Sequence, residues 1–194
     1  MSDFDIGLSH RSEIGHDLFD DFINHVSVPE LRLAIEERQE KEVYAALEWL
    51  IPTAVIIFIS KSYFDAFLKE MGKEHYHLLK NAIKGLGKRL LGPTGPRFVR
   101  ITSGKGKVPK DDHYSLVFSV VADVGVGKNI KLLIQRDASQ LECEELIDSF
   151  IDFLDGFHNK PIDIKLLEAL ETCRGRTILV AFNRKTKTIE EVII

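Results

Sequence analysis

Five consecutive residues, Val55-Ile56-Ile57-Phe58-Ile59, leave this chain little choice of fold. Four of them are β-branched, and an extended chain would carry apolar side chains on both of its sides. Such a run predicts a strand in the middle of a sheet, buried on both faces. A helix with Pro52 in its first turn is the alternative. The run lies within the most apolar stretch of the chain, LEWLIPTAVIIFISKSYFDAFL at 47–68. A membrane span needs about 20 predominantly apolar residues. Glu48 and Pro52 interrupt the stretch on one side, and Lys61 and Asp65 on the other, so no span is expected.

Beyond Ser62 the period changes. Phe64, Phe67, Leu68 and Met71 recur at helical spacing, and Gly72 can end that helix. The segment AVIIFISKSYFDAFL resembles the strand-to-helix step of Toll/interleukin-1 receptor (TIR) domains, in which an apolar strand leads through a Ser-x-x-Tyr turn into a helix. Ser60 and Tyr63 match that turn. In the enzymatic members the helix carries a glutamate that helps cleave NAD. The matching position, nine after the tyrosine, is Gly72, with Glu70 and Glu74 two residues to either side. The resemblance covers about fifteen residues and does not assign the chain to the family.

The clearest amphipathic element follows. Tyr76, Leu79, Ile83, Leu86 and Leu90 step by three and four into one stripe. Lys73, His77, Lys80, Lys84 and Lys88 repeat the rhythm on a neighbouring face. Gly85 and Gly87 weaken this helix, so a break before Leu90 is expected, and GPTGP at 92–96 stops it. That stop is the natural sub-boundary of a single domain spanning 1–194, with a helix-rich first half and a hairpin-rich second half.

In the first half, FDIGLS predicts a short strand, HDLFDDFINHV a short helix and the alternating PELRLAIEER a half-buried strand, with a helix as the alternative. EKEVYAALEWL predicts a helix ending near Leu50. In the second half RFVRIT at 97–102 predicts a strand, and YSLVFSVVA and NIKLLIQ predict two strands joined by a glycine turn. Ser139 and Glu142 have the spacing of a capping box for a helix to Phe157. Its acidic face holds Glu145, Asp148, Asp152 and Asp155. PIDIKLLEALETC predicts a further helix, and the last eighteen residues a hairpin. Runs of strands and of helices, without regular alternation, predict an α+β fold: a largely antiparallel or mixed sheet covered by amphipathic helices.

No motif names a reaction. GVGKN at 125–129 lacks the spacing and the hydroxyl of a phosphate-binding loop and is expected to be a hairpin turn. No Gly-x-Ser-x-Gly, Cys-x-x-Cys or His-Glu-x-x-His occurs. His75 and His77 would point to opposite sides of a helix, so the seven histidines are expected at the surface, with no metal and no cofactor. Two cysteines make no disulfide framework, and the polar, acidic start is no secretory signal, so a cytoplasmic setting is expected.

Charge is the remaining signal. From His75 to Lys110 there is no acid and there are nine cations, in a chain of net charge −4. The expected function is therefore a non-enzymatic protein-interaction or self-associating module acting through its charged helix faces. Lys73, Lys80, Lys84, Lys88, Arg89, Lys105 and Lys107 are the expected contact residues. The same basic and apolar 61–91 region could bind an anionic membrane, and nucleic acid is a weaker match because exposed aromatics are missing. An enzyme with a carboxylate-based pocket formed by Tyr63, Asp65, Glu70 and Glu74 is the third reading. The acidic helix could also meet the basic one, within the molecule or across an oligomer interface.

Overall fold

The computed structural model describes residues 4–39, 53–98, 113–125, 127–159 and 177–192. Seven strands form one sheet: β1 (Ile6–Arg11), β2 (Leu33–Arg38), β3 (Val55–Ile59), β4 (Phe118–Gly125), β5 (Lys128–Leu133), β6 (Thr177–Asn183) and β7 (Thr188–Glu191). Their order is β2-β1-β3-β4-β5-β6-β7. Parallel pairs (β1–β2, β3–β4, β5–β6) alternate with antiparallel ones (β1–β3, β4–β5, β6–β7), so the sheet is mixed. The helices are α1 (Asp20–Val26), α2 (Leu68–Met71), α3 (Lys73–Leu91) and α4 (Gln140–Asn159), which makes the fold α+β. Among the described residues, no helix is long and apolar enough to cross a membrane.

β3 is a strand, as its β-branched run predicts, and it sits inside the sheet between β1 and β4. Because β4 lies beyond the GPTGP stop, a single sheet joins the two halves of the chain. Val55, Ile57 and Ile59 face the helices, together with Ile6, Leu8, Phe118, Val120, Ile130, Leu132 and Val180. Ile56, at 4% exposure, belongs to the opposite face. On that face Phe4 packs edge-on against Phe58 with centroids 5.6 Å apart. Gly7 makes room for it, since a Cβ there would lie 3.0 Å from the Phe4 ring.

The path from β3 to α3 is tight. A π-helical turn, Tyr63–Phe67, runs into α2, and Gly72 then adopts φ +76°, a conformation that glycine reaches without a Cβ penalty. α3 runs unbroken to Leu91, against the expected break at its glycines. Packing explains Gly87: a Cβ there would stand 3.2 Å from Ile147 Cδ1 and 3.5 Å from Phe118 Cε1, so glycine lets α3 approach α4 and β4 closely. The predicted hairpin between β4 and β5 turns on Gly125 and Gly127, both at positive φ. The Ser139–Glu142 box also forms. Ser139 N–H donates to the Glu142 carboxylate at 2.8 Å, and Glu142 N–H to Ser139 Oγ at 3.3 Å. Arg97 and Phe98 are not in a strand. The rest of that predicted strand, and the predicted helices at 40–50 and 161–173, lie outside the described residues.

The histidines correct the expectation of a surface set. His10 and His75 are buried at 0% and 3% exposure. His158 stacks on Phe64 with centroids 4.4 Å apart, and burial lowers its basicity. His75 closes a buried chain: Nε2–H donates to the Val26 carbonyl at 3.0 Å, which leaves Nδ1 to accept from the Tyr63 hydroxyl at 3.1 Å. This chain joins the end of α1, the π turn and the start of α3. Asp5 makes a second junction, accepting from Arg32 at 2.8 Å and from Ser62 Oγ at 2.6 Å. Burial pushes its carboxyl up, but those donors prevail and hold it below the usual carboxylate range.

Replacing Tyr63 with Phe keeps the ring and strands His75 Nδ1 without its donor. A buried unsatisfied acceptor costs about 1–3 kcal/mol. Urea unfolding of Tyr63→Phe is expected to show a loss of that size, and an unchanged midpoint would contradict the buried chain.

Candidate functional site

α3 and α4 pack through apolar stripes. Leu79, Ile83, Leu86 and Leu90 of α3 share the core with Ile147, Phe150, Ile151 and Leu154 of α4. Their charges meet beside this seam. Lys80 Nζ lies 2.9 Å from Asp152 and 3.4 Å from Asp148, Lys84 Nζ lies 3.0 Å from Asp148, and the Tyr76 hydroxyl donates to Asp152 at 2.6 Å. Burial pushes the Asp152 carboxyl up, yet the bonds from Tyr76 and Lys80 hold it below its ordinary value. Each buried Leu or Ile is worth about 1.5–3 kcal/mol, against at most about 1 kcal/mol for an exposed ion pair. The apolar seam therefore holds the helices together, and the ion pairs set their relative position.

Two further acids of α4 pair with the terminal hairpin. Glu142 pairs with Arg184 at 2.9 Å and Glu145 with Lys187 at 2.6 Å, so the terminal hairpin closes over the helix. Arg89 of α3 pairs with Asp21 of α1. Of the predicted contact residues, Lys80, Lys84 and Arg89 are thus engaged inside the molecule. Lys88 is exposed and makes no ion pair among the described residues. The Lys73 side chain, and Lys105 and Lys107 entirely, lie outside the described part.

A cleft opens where these elements end. The second half of α3, the Gly92–Pro96 turn, the starts of β4 and α4 and the segment after β5 enclose about 1190 Å³. Its apolar lining includes Leu90, Phe98, Leu116, Val117 and Ala138. Lys84, Lys88, Arg89, Arg97 and Arg136 bring positive charge, and Glu144 is the only carboxylate among the described lining residues. With Lys84 and Arg89 tethered to Asp148 and Asp21, Lys88 and Arg97 offer charge that no ion pair engages among the described residues. The N-terminal turn of α4 adds the positive end of its dipole through Gln140 and Cys143. The Cys143 thiol is buried, which pushes its pKa up to about 11 and leaves it a poor nucleophile.

Of the predicted carboxylate pocket, the described residues Tyr63, Asp65 and Glu74 differ in setting. Tyr63 is fully buried, and burial pushes its hydroxyl pKa far up. Asp65 lies at the surface, paired with Lys61 at 2.5 Å, and Glu74 is exposed in the first turn of α3. The Glu70 side chain lies outside the described part. None of Tyr63, Asp65 and Glu74 lines the cleft.

Two features escaped the sequence reading. His10, His16 and Glu37 bring ring nitrogens and a carboxylate oxygen within 4.8 Å of one another, although they stand in three different elements. Lys131 is fully buried on the sheet face opposite the helices, in register with Val121 and Leu179. Alternation along β5 assigns Lys131 to that face, but only the fold shows the face to be covered. No family model, curated protein or solved structure matches the chain.

Burial, and then the charge of Arg38, lower the Lys131 amine from 10.5 to about 7. Between those values the unfolded chain holds a proton that the folded chain has released, so this group makes stability rise with pH. The limiting slope is about 1.4 kcal/mol per pH unit. Urea unfolding of the wild type and of Lys131→Met, compared from about pH 7 to about pH 9.5, should show the wild type gaining on the variant. A constant difference would contradict the lowered amine.

Proposed function

We propose that this chain is a cytoplasmic protein-interaction module that receives an acidic, partly apolar segment of a partner protein in the cleft between α3 and α4. The observation that carries this reading is that Lys88 and Arg97, which no ion pair engages among the described residues, stand over an apolar lining whose one described carboxylate is Glu144. The chain is acidic overall, which makes that concentration of cations the exception on its surface. A groove of this kind suits a segment that presents carboxylates to Lys88 and Arg97 and an apolar side chain to Phe98 and Val117. The broad charged faces of α3 and α4 recede as contact surfaces, since their ions are engaged with each other. Burial of Tyr63 argues against catalysis in the carboxylate pocket.

Fluorescence anisotropy with a labelled peptide of alternating glutamate and leucine tests the reading. Binding is expected at low salt and should weaken as salt screens the cleft. Lys88→Glu combined with Arg97→Glu should cost at least about tenfold in affinity. Lys185→Glu, on the exposed turn of the terminal hairpin, should cost nothing. No binding, or equal losses in both variants, would overturn the proposal. Flotation with phosphatidylserine vesicles in the absence of peptide binding would assign the cleft to a membrane surface instead.

A further inference from the structure

The geometry points to a divalent transition-metal site formed by His10, His16 and Glu37 at the β1–β2 edge of the sheet. It is separate from the cleft and takes ligands from three elements. His10 is on β1, and Glu37 is its register partner on the parallel strand β2. His16 opens the 3₁₀ turn His16–Leu18 that follows β1. Between them the chain reverses, with Ile14 N–H donating to the Arg11 carbonyl at 3.1 Å and Ser12 N–H to the Arg38 carbonyl at 3.1 Å. That reversal brings the His16 ring against His10, with centroids 4.9 Å apart at 88°.

His10 is the decisive residue. It is completely buried, and its Nδ1 lies 3.0 Å from the Arg11 carbonyl oxygen. A carbonyl only accepts, so Nδ1 carries the hydrogen and Nε2 presents its lone pair. Nε2 is buried and has no hydrogen-bond partner among the described residues. A buried acceptor left in this state costs free energy. Metal-binding histidines characteristically have one nitrogen fixed by a carbonyl or carboxylate and the other free to ligate.

The other two groups complete the ligand set from the solvent side. His16 Nε2 and Glu37 Oε2 stand 3.2 Å apart, with side chains 66% and 48% exposed. A tetrahedral ion with bonds of about 2.1 Å holds its ligand atoms about 3.4 Å apart. The exposed pair already stands near that spacing, and all three ligand atoms lie within 4.8 Å of one another, so side-chain shifts of roughly 1–1.5 Å bring the set to it. Two imidazoles and one carboxylate suit zinc and its first-row neighbours rather than calcium or magnesium. Three protein ligands leave the solvent-facing position to water.

Titration of the chelator-treated protein with Co²⁺, followed by visible absorption and by displacement with Zn²⁺, tests the site. Because His10 is part of the core, the deciding variants are the exposed His16→Ala and Glu37→Gln. One saturable Co²⁺ site is expected in the wild type, with affinity at least about tenfold lower in each variant. Zn²⁺ should raise the wild-type unfolding midpoint and leave that of His16→Ala unchanged. His25→Ala, whose imidazole bonds to the Asp21 carbonyl in α1, should bind as the wild type does. Absence of a saturable Co²⁺ signal, or equal affinity in the wild type and both variants, would overturn the proposal.

Discussion

Strand β3 has no face that can meet water, and the architecture follows from that constraint. A strand with Val55, Ile57 and Ile59 on one side and Ile56 and Phe58 on the other needs neighbours at both edges and cover on both faces. β1 supplies one edge from the first half of the chain and β4 the other from the second half, so the two halves cannot be separated without exposing it. Helices α1, α3 and α4 cover one face. On the other, Phe4 lies over Gly7 and Phe58, while Leu133, Leu179 and Ala181 make a second apolar cluster. The same burial forces polar groups to find internal partners, which is why Asp5 and His75 act as junctions between elements.

The helices that cover β3 also decide what the molecule offers to others. α3 and α4 carry opposite charges on the faces that flank their apolar seam, and those charges neutralise each other across the seam. Arg184 and Lys187 of the terminal hairpin pair with Glu142 and Glu145 at the start of α4. A chain whose sequence advertises a basic helix and an acidic helix therefore presents neither as an open face. The surplus of positive charge collects where α3 stops, at Lys88 and Arg97, beside the apolar lining of the cleft. The contrast in magnitude matters: ion pairs at the surface contribute little to stability, so their main effect here is on the relative position of the helices.

Much of this fold was legible because its signals are local. The β-branched run of β3, Gly72, the glycine turn between β4 and β5 and the Ser139–Glu142 box each need only a few neighbouring residues to read. What escaped depends on partners distant in sequence. His75 reads as a surface residue until Val26, 49 residues away, receives its hydrogen bond. Gly87 reads as a helix breaker until Phe118 and Ile147 come against it. Lys80 reads as a free cation until Asp152, 72 residues on, meets it. The cluster of His10, His16 and Glu37 is invisible to any spacing rule, since strand pairing and a chain reversal assemble it. Of the cations among the described lining residues of the cleft, Lys84, Lys88 and Arg89 belong to the contact set expected from the sequence, whereas Arg97 and Arg136, which join it after the Gly92–Pro96 turn and after β5, do not.

The central claim is that the charged faces of α3 and α4 meet within one chain. Zero-length carbodiimide cross-linking of a mixture of ¹⁴N- and ¹⁵N-labelled protein tests it directly. Peptides joining Lys80 or Lys84 to Asp148 or Asp152 should contain a single isotope, because each link forms inside one molecule. Links that pair the two isotopes in statistical proportion would contradict the account and would make these helices the interface between two copies.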